Sequence, residues 1–160
     1  MLMRLIYAST AVDGVDMNEF KRILETAQKN NTNSDLTGML CFNSKIFLQA
    51  LEGSREAINT LYGKLNKDPR HYGLTLIKYE PIQERHWPDW SMAFAAASTN
   101  NKRLYLKYGM QSVFNPYGMQ GDQVEKLMME MTQANVTTMK VGEEQAANES
   151  KGGFFARFAR

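Results

Sequence analysis

Lys45-Ile46-Phe47-Leu48-Gln49-Ala50-Leu51-Glu52-Gly53 reads as an apolar strand interrupted by one amide side chain, Gln49. Alternation along a strand sends Phe47, Gln49 and Leu51 to one face and Leu48 and Ala50 to the other. Gln49 then looks into a core. A carboxamide buried without partners costs about 1–3 kcal/mol, so something has to accept from its NH2 group and donate to its oxygen. A heteroaromatic ligand meets that need; so does a backbone group or a water molecule.

Working outward, Asp35-Leu-Thr-Gly-Met-Leu-Cys-Phe42 is a second strand, and Asn43-Ser44 joins the two as an antiparallel hairpin. Upstream, the apolar Met1–Ser9 predicts a central strand with Met3, Leu5 and Tyr7 on one face. Val12-Asp-Gly-Val15 turns the chain, and Asp16 with Glu19 resembles a capping box that starts a helix. Phe20, Ile23, Leu24 and Ala27 form its apolar stripe. Steps of three and four from Ala27 land on Asn30 and Asn31, so the stripe ends in two amides. Asn30–Asn33 also reads simply as a C-cap and loop.

Downstream, Ser54 caps a helix carrying Ala57, Ile58, Leu61, Tyr62 and Leu65, which Asn66-Lys-Asp-Pro69 ends. Leu74–Tyr79 alternates like a strand. A loop with Arg85, His86 and Trp87 leads to a last strand, Trp90-Ser-Met-Ala-Phe94, with Trp90, Met92 and Phe94 on one face. The order β-α-β-β-α-β-β predicts an α/β (α+β) fold, a ferredoxin-like sandwich with a mixed five-stranded sheet and two helices on one face.

After residue 97 the character changes. Leu104–Tyr108 is a short helical segment broken by Gly109, and Asp122 opens a helix with Val124, Leu127, Met128 and Met131. These helices are expected to cover the other side of the sheet. Val141–Gly153 is polar and reads as a disordered linker, followed by the basic-aromatic Phe154–Arg160. The expected division is a ligand-binding domain over 1–97, a helical extension over 98–135 and a disordered tail over 136–160. Phe154–Arg160 is read as a frayed terminus, or as a membrane-surface or partner-docking segment.

With 160 residues, 43% of them hydrophobic, the chain can fill one core. Nineteen Lys and Arg against 17 Asp and Glu leave a net charge of +2, which argues against a nucleic-acid partner. Cys41 is the single cysteine, and no apolar run approaches the roughly 20 residues that span a bilayer. A soluble, reducing, cytoplasmic setting without stable membrane insertion is expected. His71 and His86 are the two histidines, and neither has a cysteine or carboxylate at metal-ligand spacing. Gly-rich phosphate loops and nucleophile elbows are absent from the sequence. Lys67-Asp-Pro-Arg-His71, with Lys64 and Lys29, either lines the mouth of a groove or is a solvated charge cluster.

If both helices lie over one sheet face, Tyr7, Gln49, Asn30 and Asn31 converge there, with Trp90 and Met92 at the margin. A flat ligand with amide-like edges fits such a layer. At this point the chain resembles the BLUF family of blue-light sensors using FAD. The carriers are Arg4-Leu-Ile-Tyr-Ala-Ser9, Ala27-Gln-Lys-Asn-Asn31, Leu36-Thr-Gly-Met-Leu40, Phe47-Leu-Gln-Ala-Leu-Glu-Gly53, Lys67-Asp-Pro-Arg-His71 and Trp90-Ser-Met92.

The resemblance implies non-covalent FAD, with Gln49 bonding flavin N5 and O4 and contacting Tyr7. It also implies that Asn31 holds the pyrimidine edge, with Asn30 beside it, and that Lys64, Asp68, Arg70 and His71 lie near the ribityl and phosphate side. Lys29 stands where the family carries a basic residue and belongs to the implied binding set; Ala27 stands where members often have Ser. Light is implied to drive electron and proton transfer from Tyr7 through Gln49, leaving the amide rearranged in a red-shifted signalling state. Trp90 and Met92 complete the photochemical set.

The strand of Trp90, Ser91 and Met92 runs directly into the C-terminal helices and is the expected lever of output. No enzyme activity of its own is expected; signalling is expected through an unidentified protein partner, and homo-oligomers are expected. Two rival classes are weighed. An RNA-recognition sheet needs a basic-aromatic third strand, which Lys45–Leu51 does not match, and a small flavin enzyme needs a substrate-directed acid or base that the sequence lacks.

Overall fold

The computed structural model describes residues 1–146, with the side chains of all of these except Met17, Phe20, Lys21, Leu24, Thr32 and residues 135–146. The opening hairpin forms as its sequence requires. Strand β2 (Thr37–Phe42) and β3 (Ile46–Ser54) pair antiparallel, and Ser44 takes the left-handed φ of 71° that closes the turn. Asn43 Oδ1 fastens that turn by accepting from the backbone N–H of Lys45 and Ile46 at 3.1 and 2.7 Å.

Strand β1 (Leu2–Ala11) pairs antiparallel with β3 on one side and with β4 (His71–Pro81) on the other. Strand β5 (Ser91–Phe94) adds parallel to β2, giving the sheet order β4-β1-β3-β2-β5. Helix α1 (Met17–Asn33) starts at Asp16, whose Oδ1 accepts the Glu19 N–H at 2.8 Å. Helix α2 (Arg55–Asn66) starts at Ser54, whose Oγ accepts from Ala57 N at 3.1 Å. Both caps stand where sequence places them. Ile23 and Ala27 carry the α1 stripe; Phe20 and Leu24 have side chains outside the described set.

The two sheet faces bury different neighbours. Met3, Leu5, Tyr7 and Leu51 pack with Ile58 and Leu61 of α2, while Leu40, Phe42 and Phe47 pack with Ile23. On the opposite face Ile6, Ala8, Met39, Leu48 and Ala50 meet Tyr105 of α3 (Thr99–Tyr108) and Val124, Leu127, Met128 and Met131 of α4 (Gly121–Ala146). Each fully buried aliphatic or aromatic side chain contributes about 1.5–3 kcal/mol of transfer free energy, so the sheet is held from both sides.

Several boundaries differ from expectation, among them the start of α3, which is Thr99 rather than Leu104. Strand β4 begins at His71 rather than Leu74, because its pairing partner β1 runs on to Ala11. Trp90 precedes β5 instead of opening it. Helix α4 continues to Ala146, past the expected boundary at 135. The rest of the expected tail, with Phe154–Arg160, lies outside the described residues. No helix among the described residues is long and apolar enough to cross a membrane.

Gly38 of β2 is required by the close approach of β3. A Cβ there would meet the Ala50 carbonyl oxygen at 1.9 Å and its carbon at 2.9 Å, and backbone cannot give way as a flexible side chain does. Gly38→Ala is therefore expected to destabilise by about 2–3 kcal/mol, the upper range for overpacking, with a matching fall in the urea midpoint.

Candidate functional site

Because β1 and β3 are antiparallel and Tyr7 is opposite Gln49 in register, both side chains rise from the same face of the sheet. The Tyr7 hydroxyl donates to Gln49 Oε1 at 2.5 Å, and the two residues are 3% and 4% exposed. Burial first, then the charge of Asp68 and of Tyr62, pushes the Tyr7 phenol above its ordinary range. The phenol thus keeps its proton in the resting protein. With the amide oxygen engaged by Tyr7, the Gln49 NH2 is the end that faces a further acceptor.

Over this pair, α1 and α2 leave a cavity of about 200 Å3 walled by Tyr7, Gln49, Leu40 and Phe47 from the sheet. Ile23, Thr26, Ala27, Asn30 and Asn31 of α1, and Leu61, Lys64 and Leu65 of α2, form its sides. A second cavity of about 590 Å3 shares Asn30, Asn31, Leu61 and Lys64 with the first, so the two make one groove. Asn31 is 3% exposed and its Nδ2 has no hydrogen-bond partner among the described residues. A buried amide donor without an acceptor is costly, and a ligand acceptor at this wall would satisfy it.

The groove's end carries the charged cluster. Asp68, Arg70 and His71 line it. The Arg70 side chain donates to Asp68 through Nε and Nη2 at 2.9 and 2.6 Å, which holds the Asp68 carboxyl below its ordinary range. His71 Nε2 lies 2.6 Å from the Leu65 carbonyl, which can only accept, so Nε2 carries the proton. His71 Nδ1 then faces Ser9 Oγ at 2.6 Å. The ring is thereby pinned between β1 and the end of α2.

Of the residues singled out in sequence, Tyr7, Asn30, Asn31, Gln49, Lys64, Asp68, Arg70 and His71 all meet at the groove. Lys29 does not. It is exposed and off the cavity wall, because two residues from Ala27 is nearly half a turn around the helix. Trp90 and Met92 pack beside the wall, against the Leu40, Phe42 and Phe47 cluster, without lining the cavity. Thr26 and Ser9 are not among the residues singled out in sequence, whereas Phe47 is placed on the Gln49 face by strand alternation. Thr26 stands four residues before Asn30 and Phe47 two before Gln49, so helical and strand periodicity carried both signals.

A phenol and an amide in contact at the floor of a groove between two helices, with a cationic cluster at one end, define a ligand-binding module of the ferredoxin-like α+β kind. The chain belongs to the BLUF family, sensors of blue light using FAD, whose family model matches residues 2–93. It is 35% identical over 95 residues to the photoactivated adenylate cyclase subunit beta of Euglena longa, covering 59% of this chain and 11% of that protein. It is 37% identical over 85 residues to the blue light- and temperature-regulated antirepressor BluF of Escherichia coli (strain K12), covering 52% and 21%. The chain thus spans a small fraction of these curated relatives. Among solved structures it is similar to BlsA in its photo-activated state, with a TM-score of 0.74 and 28% identity over 82% of this chain and 95% of that one. The dark-state structure of BlrB, a BLUF protein, gives a TM-score of 0.64 at 25% identity, covering 81% and 96%.

The wall chemistry suits a flavin. Asn31 Nδ2 and the Gln49 amide answer the carbonyl and ring-nitrogen acceptors of its polar edge, and the aliphatic wall of Ile23, Leu40, Leu61 and Leu65 answers its faces.

Proposed function

We propose that this chain is a blue-light photoreceptor that binds FAD non-covalently in the groove between α1 and α2 and signals by changing a protein–protein contact. The observation that carries the reading is the buried Tyr7–Gln49 hydrogen bond at the cavity wall. When bound, flavin supplies blue absorption and an oxidising excited state. Tyr7 is the electron and proton source, since a phenol oxidised in a buried site loses its proton readily. Gln49 accepts at one end and donates at the other, so it would relay that proton outward, and return of the electron and proton to Tyr7 leaves the amide rearranged, by rotation or tautomerisation. Asn31 orients the ligand, and Lys64, Arg70 and His71 answer its phosphate end.

Output runs through the contact of the sheet with α3 and α4 to a partner protein, without enzyme activity of the chain's own. A soluble cytoplasmic homo-oligomer fits this role. The test is the absorption spectrum of the purified protein: an oxidised-flavin spectrum that shifts red under blue light and recovers in darkness, with FAD rather than FMN released on denaturation. A colourless protein that takes up no flavin, or a flavoprotein without the shift, would refute the reading.

A further inference from the structure

Arg4, Glu52 and Glu125 are buried ionisable groups on the sheet face away from the groove, and the light response described above does not use them. Glu52 stands three residues along β3 from Gln49 and accepts Arg4 Nε at 2.8 Å. Its carboxylate also accepts the backbone N–H of His86 and Trp87 at 3.0 and 2.9 Å, holding the loop that leads to β5. Arg4 Nη1 bonds Glu125 of α4 at 2.7 Å and Glu80 of β4 at 3.1 Å. His86 Nδ1 lies 3.0 Å from Glu125 Oε1, and Lys78 pairs with Glu125, Glu80 and Asp122. A second fastening of α4 needs no charge: Trp87 Nε1 donates to Thr132 Oγ1 at 2.9 Å.

Arg4 is 3% exposed and its guanidinium carbon lies 5.7 Å from the Trp87 ring centroid, yet its Nη2 has no hydrogen-bond partner among the described residues. A strong donor is therefore unused beside the carboxylates of Glu52, Glu80 and Glu125. A small displacement of either strand that brings Nη2 onto one of these carboxylates can redistribute the bonds now made to Glu125. Two pairings of one guanidinium are discrete alternatives, the kind of element through which sites couple.

We propose that Arg4 is a two-position coupler between the glutamine strand and α4. Movement of β3 as Gln49 rearranges shifts Glu52, re-pairs Arg4 and changes how firmly Glu125 holds α4 to the sheet. This rests on the photoreceptor reading and gives it a route across the sheet, separate from leverage through Met92. The test follows the FAD-loaded full chain by flavin absorbance and by hydrogen exchange of residues 121–134, dark and lit, in wild type, Glu125→Gln and Thr132→Val.

Glu125→Gln is expected to keep the red shift, lose the light-minus-dark difference in α4 and alter the recovery rate about fivefold, the low end of ordinary coupling between sites. Arg4→Lys, which keeps the charge without the fork, repeats the test from the other partner, and the same losses are expected. Thr132→Val is expected to raise α4 exchange in both states while leaving recovery and the light-minus-dark difference as in wild type. An unchanged recovery rate and exchange difference in both Glu125→Gln and Arg4→Lys, beside a wild type that shifts red, would overturn the coupler and leave the photoreceptor reading standing. Equal changes of recovery in Thr132→Val would also overturn it, since any loosening of α4 would then suffice. A wild type without a red shift would overturn the reading and the coupler together.

Discussion

Gln49→Leu is expected to retain bound flavin and to lose the light-induced red shift altogether. Leu has similar volume, so the packing with Leu40 and Tyr7 across the ladder survives, and Asn31 and the cationic end of the groove are untouched. The variant leaves the Tyr7 hydroxyl, now bonded to Gln49 Oε1 at 2.5 Å, without its acceptor. That loss costs about 1–3 kcal/mol, which a folded domain tolerates. Nothing at position 49 can then donate, accept or rearrange. Dark and lit spectra of the purified variant are the measurement, and a normal red shift would mean that the switching group lies elsewhere.

Glu52→Ala is expected to be the most destabilising of the single substitutions considered. The Glu52 carboxylate is fully buried and satisfies Arg4 Nε and two backbone N–H groups. Its removal leaves Arg4 Nε and two amide donors without an acceptor at once, while Arg4 Nη1 keeps Glu125 and Glu80; removing one partner of a buried ion pair costs about 3–5 kcal/mol. For a chain of this size that lowers Tm by about 6–20 °C. The exposed Arg22–Glu19 pair is the contrast, with Arg22 73% exposed; Arg22→Ala should cost no more than about 0.5 kcal/mol. Thermal melts of the two variants check both values, and equal effects would show that burial of the Arg4 network contributes little.

These two residues also show what sequence could and could not reveal. Gln49 was legible because one amide in an apolar strand breaks a period of two, and Tyr7 followed from the alternation of β1 with both helices placed over one sheet face. Asn30 and Asn31 followed from the helical period, which also explains why Lys29, two residues from Ala27, leaves the wall. Glu52 sits in the same strand and carries the same kind of signal, a polar group amid Ala50, Leu51 and Gly53. Its partners are distant, however: Arg4 is 48 positions away, and Arg4 reaches Glu125 across 121. Local patterning carries no information about such closures. The two tryptophans make a similar point. Trp87 is buried beneath α4 and Trp90 packs on the groove side, a division set by the loop before β5 rather than by strand alternation.

The sheet order β4-β1-β3-β2-β5 has one more consequence, for the order in which the protein comes apart. Strands β1 and β3 are hydrogen-bonded on both sides, whereas β4 and β5 each have one neighbour. Opening fluctuations strip singly paired strands before doubly paired ones, because fewer ladder bonds break and less apolar surface is wetted. The phenol and the amide therefore sit in the last unit to melt, so that their alignment outlasts the detachment of either flank.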